Sequence, residues 1–497
     1  MSADGTAYAV PVALNGRPIR LPAPRAEQGM SPVAHRLFRR RVIVQVLLCA
    51  LPVTFLLAFS RASLAGAALW ALFGLLMVRL MFLGRATELL CLLIALAPLL
   101  NLLRDFAPTY QIIAFTSLLG ILYYALRSHA DLWNVMRKNA LASVLLMFVT
   151  IYYAASFIFT GKYDINLRLF DLAFTVIIVL IVGRSRQLLG VALLGLVISG
   201  WAVGLAMLQH LDVTIGSRLG SMLVEGHILG NPVSLGTPLA LCFLGLVLDR
   251  GRWFNLEHRP VLRLALAIPT FALLALTTSR AAWLVTAGGI LVALVFDGRS
   301  RGRLLLLIGL AAIILQAVLL SPYGEGLQAG LDRTFSEERS ATSRTSGRSD
   351  QWVVTYYALT TSASSLLYGY GPGLSPRVYA KYSKEARGVT YAVGGEAQFH
   401  SLYMQVAVEM GLLGLTLFLT WLITGLVKNF RWMTRYKRIV PFVFFLGYMI
   451  IIVTVSGNDS VSGLFLGIGL LTTFRPDRRL RPGSRREVRA PARGVTV

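Results

Sequence analysis

Charge is scarce in this 497-residue chain. Asp, Glu, Lys and Arg together make up 14%, where soluble domains carry about a quarter. That scarcity excludes an ordinary water-soluble globule. Acidic side chains are the rarer sign, 23 against 48 basic, which leaves a formal net charge of +25. Cysteine is almost missing. Cys49, Cys91 and Cys242 each lie inside an apolar run, so neither a disulfide framework nor a thiolate metal cluster is in view, and they read as small core residues. The weak apolar-polar alternation of a transmembrane barrel is absent. Met1–Met30 is polar and rich in Pro and Ala, with no apolar core of its own. No cleavable signal peptide is expected there, and this segment, like Arg475–Val497, reads as a disordered tail.

Apolar sequence fills the rest. The chain is 56% hydrophobic with a mean hydropathy of +0.66. Backbone groups in hydrocarbon must be satisfied within the segment, and apolar runs of about 20 residues achieve this as helices. The runs give fourteen expected helices, at 42–60, 63–83, 87–103, 109–126, 139–160, 167–183, 187–208, 231–249, 261–278, 281–297, 303–321, 401–425, 438–456 and 459–474. The run at 167–183 is short and contains Asp171. The expected fold is therefore an all-α polytopic membrane protein with about 14 transmembrane helices and one large periplasmic loop domain. Its segments are a basic cytoplasmic tail at 1–41, helices at 42–320, the loop at 321–400, further helices at 401–474 and a basic tail at 475–497.

Charge placement tests this count. With the N-terminus and its "HRLFRRR" in the cytoplasm, 34 of the 48 Lys and Arg residues fall on the cytoplasmic side. No short outer loop then holds more than two, as the positive-inside bias requires. One missed helix would invert every later loop. The even count returns "RPDRRLRPGSRR" to the cytoplasm. In such a chain, basic excess means cytoplasmic loops and contact with anionic lipid rather than nucleic acid.

The outer loop 321–400 is unusually long, and long loops in compact folds are functional or disordered. It contains "DQWVVTYYALTTSASSLLYGYGPG", and its eight basic residues nearly balance seven acidic ones. That composition can fold. Asp350–Thr361 reads as helical and "YGYGPGLSP" as a glycine-proline turn. Four outer residues carry candidate chemistry. Arg280 sits in "ALTTSRAAWLV", where Ser279-Arg280 is the whole turn between two apolar runs. It is either a snorkelling interfacial arginine or an anion site whose guanidinium fork fits phosphate oxygens. Arg218 lies in the glycine-rich loop "HLDVTIGSRLGSMLVEGHILGNPVSLG", and Arg348 in "GRSDQWVV", where it contacts phosphate or sugar or else pairs with Asp350 or Glu338.

His400 opens the helix "SLYMQVAVEMGLLGL". At 100° per residue, a straight helix puts Gly411 at about 20° and Gly414 at about −40° from it, and Glu409 at about 180°. Glycines three apart on one face admit a neighbouring helix. The histidine then points into the bundle, with Glu409 on the far side. It is either a structural, hydrogen-bonded residue or a general base for a hydroxyl.

The order Arg218 with "GNP", "TTSRAAWL", "GRSDQW", "LLYGYGPG" and "FHSLYMQVAVEMGLLGL" resembles the bacterial O-antigen ligase and polymerase family of membrane glycosyltransferases over roughly residues 200–425. The His-Ser pair, nine residues and Gly-x-x-Gly is similar to the histidine motif of its ligases. The resemblance implies a glycan donor on undecaprenyl diphosphate at the periplasmic face of the inner membrane. The acceptor is another carrier-linked glycan, lipid A core or a protein. Arg218 and Arg280 hold the diphosphate, His400 activates the acceptor hydroxyl, and no cofactor or metal is used. Partners in a polysaccharide-assembly machinery are also in keeping. A longer outer loop and more spans than the ligases usually have lean the reading towards a polymerase of O-antigen or exopolysaccharide repeat units. "RLGSML" around Arg218 departs from the arginine motifs of both groups.

Two other classes compete. A transporter or lipid flippase predicts charged or broken helices near midplane and an internal repeat, and neither is clear. A structural membrane partner has no need of His400 or Arg280. The "GPG" turn lacks the Lys-Ser/Thr pair of a nucleotide-binding loop.

Overall fold

The computed structural model describes residues 31–59, 62–102, 109–160, 167–208, 222–224, 227–229, 232–298, 301–321, 348–385, 399–436, 438–454 and 460–473, with the single residues 324, 328 and 332. Both tails lie outside the described residues. Each of the fourteen apolar runs is helical. They form α1 (Pro32–Ala58), α2 (Ala62–Phe82), α3 (Ala86–Leu102), α4 (Thr109–Arg127), α6 (Ala140–Thr160), α7 (Leu167–Gly183), α8 (Arg186–Leu208), α9 (Pro232–Val247), α10 (Pro260–Leu276), α11 (Arg280–Phe296), α12 (Arg301–Leu319), α16 (Leu402–Tyr436), α17 (Val440–Thr454) and α18 (Ser460–Leu470). A short helix α5 (His129–Lys138) lies between α4 and α6, and three more, α13 (Arg348–Leu359), α14 (Ala363–Tyr368) and α15 (Ser375–Glu385), belong to the long loop. Among the described residues, six helices are long and apolar enough to cross a membrane, and eight shorter apolar helices accompany them. The segment before α9 adds a small hairpin, Met222–Val224 paired antiparallel with His227–Leu229.

Burial sorts these helices. The most apolar windows of α8 and α9 are each 72% buried, while those of α2, α6 and α16 are 33%, 33% and 17% buried. α8 packs against α1, α3 and α9, and α9 in turn against α10 and α11, so these two form the centre. The outer helices leave Leu75, Phe82, Ile158 and Leu417 on the surface. Water would not tolerate so continuous an apolar exterior; the hydrocarbon of a bilayer does. The chain is a multi-pass membrane protein. Asp171, in the short helix α7, is fully buried within the bundle.

Straight-helix geometry fails at one point. α16 has 35 residues, which at 1.5 Å rise is about 50 Å, well beyond the hydrocarbon core. It is broken at Gly411, whose φ of 65° and ψ of −165° are not helical. The face expected to run from His400 through Gly411 and Gly414 therefore does not exist as one surface. Gly411 admits a close neighbour, but that neighbour is the backbone of Leu367 and Tyr368 at the end of α14, not a transmembrane helix. Gly414 faces the Met410 side chain of its own helix across the break. The nine residues before the break join bundle and loop: Leu402 and Val406 pack in the bundle core, Met404 and Val408 against the loop. Val354, Ala358, Val378, Tyr379, Tyr382, Phe399, Met404 and Val408 make a second apolar core, distinct from that of the bundle.

Candidate functional site

The turn Thr277-Thr278-Ser279 joins α10 to α11 and is buried. Ser279 caps α11 by accepting from the Ala282 N–H, and the Thr277 hydroxyl donates to the Leu274 carbonyl at 2.7 Å. Thr278 sits at φ 46°, a left-handed conformation that a β-branched residue rarely adopts. The turn is forced down onto Gly236 of α9, where an added Cβ would stand 2.9 Å from both Ser279 Cβ and Thr277 Oγ1. Only glycine allows that approach. Arg280 is thus the first residue of a capped helix, half-buried at its positive end. Strain of this kind persists where the surroundings over-determine it, and it concentrates at functional sites.

His400 is exposed, but the residues on both sides of it are fixed. Its backbone N–H donates to Gln351 Oε1 of α13 at 2.9 Å. Phe399 is buried edge-to-face on Tyr379 of α15, ring centroids 5.2 Å apart. The buried Ser401 hydroxyl donates to the Ile452 carbonyl near the end of α17 at 3.2 Å. Three elements therefore hold one short segment. Arg348 begins α13 one helical turn before Gln351, the residue whose side chain holds the His400 backbone. The side chain of Arg348 lies outside the described residues, and so does all of Arg218.

Helix register relates Arg280 to His400. Gly447 of α17 packs on Val285 of α11, and Gly289 of α11 on Val443 of α17. The two helices are antiparallel, and the same register sets Arg280 level with Ile452, the residue that receives Ser401. The starts of α11 and α16 thus share one level at the same end of the bundle. They are separated by α17, about two helix spacings or at most 20 Å.

Glu409 was missed as a functional position. It is fully buried and accepts a hydrogen bond from the Tyr152 hydroxyl of α6. It also accepts from the Ser375 N–H at 3.3 Å and faces the side-chain amide of Gln405 at 3.5 Å. Its backbone carbonyl receives the Gly371 N–H, and that of Val408 the Tyr370 N–H, both at 2.9 Å. The glycine turn of the loop, with Gly369, Gly371 and Gly373 all at positive φ, is thereby wrapped around one carboxylate at the head of α16. The signal was in the sequence: a lone acid in an apolar helix is expensive and marks a partner. The straight-helix projection pointed it away from the site.

The loop has a polar seam of its own. The single Tyr370 hydroxyl proton is shared between two acceptors, the Ala358 carbonyl at 2.6 Å and the Tyr382 hydroxyl at 3.0 Å, and Lys381 Nζ donates to the Tyr382 hydroxyl at 3.3 Å. These donors, Tyr370 foremost, pull the Tyr382 phenol below its usual range. Burial first, and then the charge of Asp350, push the Tyr379 phenol up.

Residues 265–419 match the sequence model of a family described as O-antigen ligase. The matched segment runs from α10 through the break in α16 and includes Arg280, Arg348, His400 and Glu409. Over this segment, less than a third of the chain, the protein is similar to that family. A search of curated proteins found no match to this chain.

Proposed function

We propose, taking the O-antigen ligase match across Arg280 and His400 as the premise, that this protein transfers a glycan from undecaprenyl diphosphate to an acceptor hydroxyl at the periplasmic face of the bacterial inner membrane. It polymerises repeat units of an O-antigen or exopolysaccharide. The observation that carries this reading is the shared level of the α11 and α16 starts, which allows an arginine and a histidine to act on one substrate.

The chemistry follows from the leaving group. Diphosphate departs readily once its developing charge is met. Arg280, at the positive end of α11, supplies a guanidinium fork for that charge, and Arg218 and Arg348 supply further cations; no metal ion is needed. His400 accepts the proton of the acceptor hydroxyl. The hydroxyl oxygen attacks the anomeric carbon, the bond to the diphosphate oxygen breaks, and the carrier leaves with its charge on the phosphates. Single displacement on an α-linked donor inverts that centre, so a retained α-linkage in the product would sink this step.

The test is a strain lacking the protein, complemented with wild type or His400→Ala at matched membrane levels. Lipid-linked glycan and finished polymer are measured together. A polymerase variant accumulates single repeat units on the carrier and makes no polymer. Long carrier-linked chains that never reach lipid A core or protein identify a ligase instead. Wild-type behaviour of His400→Ala overturns the assignment of the base.

A further inference from the structure

A cavity of about 620 Å³ opens at the other end of the bundle. α11 runs from Arg280 to Phe296, and Phe296 lines this cavity, so the two sites are about 25 Å apart along the helix axis. Arg250, Arg252 and Arg438 line it together with Asp249 and Asp297.

Two nearby carboxylates, Asp249 and Glu257, are committed to other partners, while Asp297 remains on the cavity wall as an acidic neighbour. Asp249 accepts the backbone N–H groups of Ile439 and Val440 at 3.2 and 3.4 Å, capping α17, and also the Trp253 indole N–H at 3.1 Å. Glu257 pairs with Arg186 at 3.0 Å and with Arg252 at 3.6 Å. Among the described residues, neither Arg250 nor Arg438 lies within ion-pair distance of a carboxylate. Burial, and then the like charges of Arg252 and Arg186, hold the Arg438 guanidinium below its usual range, with Asp249 only partly opposing them. Asp249, Arg250 and Gly251 have successive φ values of 46°, 57° and 67°. This left-handed turn carries Arg250 to the cavity wall.

One wall of the cavity, Phe296, continues into an exposed apolar strip. Phe296 and Phe430 are 49% and 39% exposed, and their rings meet edge-to-face at 5.7 Å. Val427 and Ile423 continue the same exposed face of α16 at helical spacing. A soluble anion has no use for such a strip, whereas an acyl chain does. Arginine forks match phosphate oxygens, and basic pockets between transmembrane helices hold anionic head groups.

We propose that this cavity binds the phosphodiester head group of an anionic phospholipid, with Arg250 and Arg438 on the phosphate and an acyl chain along Phe296 and Phe430. The site is separate from the glycosyl-transfer centre and does not depend on its assignment.

The test is native mass spectrometry of the full-length protein in detergent, titrated with phosphatidylglycerol or phosphatidylcholine. Arg250→Gly suits the left-handed backbone, so it removes the charge without loss of fold. The expected result is phosphatidylglycerol retained over phosphatidylcholine, a clear loss in Arg250→Gly, and at least a tenfold loss in Arg250→Gly/Arg438→Gln. Arg435→Gln, which removes a charge outside the cavity, stays within twofold of wild type. Equal retention of both lipids, or unchanged affinity in Arg250→Gly and the double variant, overturns the site. Inorganic phosphate raising the melting temperature of wild type but not of the double variant, with no effect of phosphatidylglycerol, makes it a soluble-anion site and overturns the lipid assignment.

Discussion

At the scale of single residues, Arg280 and Glu409 do different work. Arg280 stands at a capped helix start above a strained, buried turn, and its proposed task needs a fork rather than a point charge. Arg280→Lys keeps the charge and loses bidentate geometry. Glycan transfer in membranes should fall at least tenfold in Arg280→Lys and further in Arg280→Ala, with unchanged protein levels by immunoblot; full activity in the lysine variant excludes a bidentate role. Glu409 is an anchor. In Glu409→Gln the shape survives, but an amide NH2 replaces one of two acceptors, Oε2 facing the Tyr152 hydroxyl or Oε1 facing the Ser375 N–H. A buried donor left without a partner costs about 1–3 kcal/mol. The variant should melt several degrees lower and expose the loop to protease before the bundle. A coincident shift of both would place the defect elsewhere.

Single elements show where pattern and packing part. Hydrophobic runs located every apolar helix, because lipid imposes one rule on all of them. The same pattern could not show that α16 breaks, since Gly411 reads in sequence as an ordinary glycine of a packing stripe. The break is fixed by α14: an added Cβ at Gly411 would stand 2.3 Å from the Leu367 carbonyl oxygen, at a φ of 65°. Gly411→Ala combines that clash with a backbone conformation worth roughly 1–3 kcal/mol of strain. It should lower thermal stability by at least that much and abolish transfer. A melting temperature and transfer activity unchanged from wild type in Gly411→Ala would mean that the break is dispensable.

For the whole molecule, charge asymmetry yields a sidedness that labelling can test. Cys49, Cys91 and Cys242 are buried, so an introduced thiol is the one a membrane-impermeant maleimide reaches. Ser364→Cys, on the exposed face of α14, should label in intact spheroplasts. Gly298→Cys, beyond α11, should label only after lysis. The reverse pattern inverts the topology and moves the proposed site to the cytoplasm. The structure agrees with a single sidedness in one respect: the starts of α11 and α16 lie at one end, while Asp249 and the start of α17 meet at the other.

The sequence by itself determined the solvent, the helices and the residue types available for chemistry. These depend on composition and local periodicity, and scarcity of charge over long apolar runs leaves few alternatives. It also singled out "TTSRAAWL" and "FHSLYMQ", because an arginine or a histidine at an outer helix boundary breaks the surrounding pattern. Tertiary structure alone decided that Gln351 and Ile452 hold the segment around His400. It alone decided that Gly411 ends one helix and starts another, that Glu409 gathers the glycine turn, and that arginines 186 positions apart, Arg252 and Arg438, line one cavity. Each is a contact between segments distant in the chain. Such contacts follow from how whole helices pack, and no local pattern of residues encodes the partner.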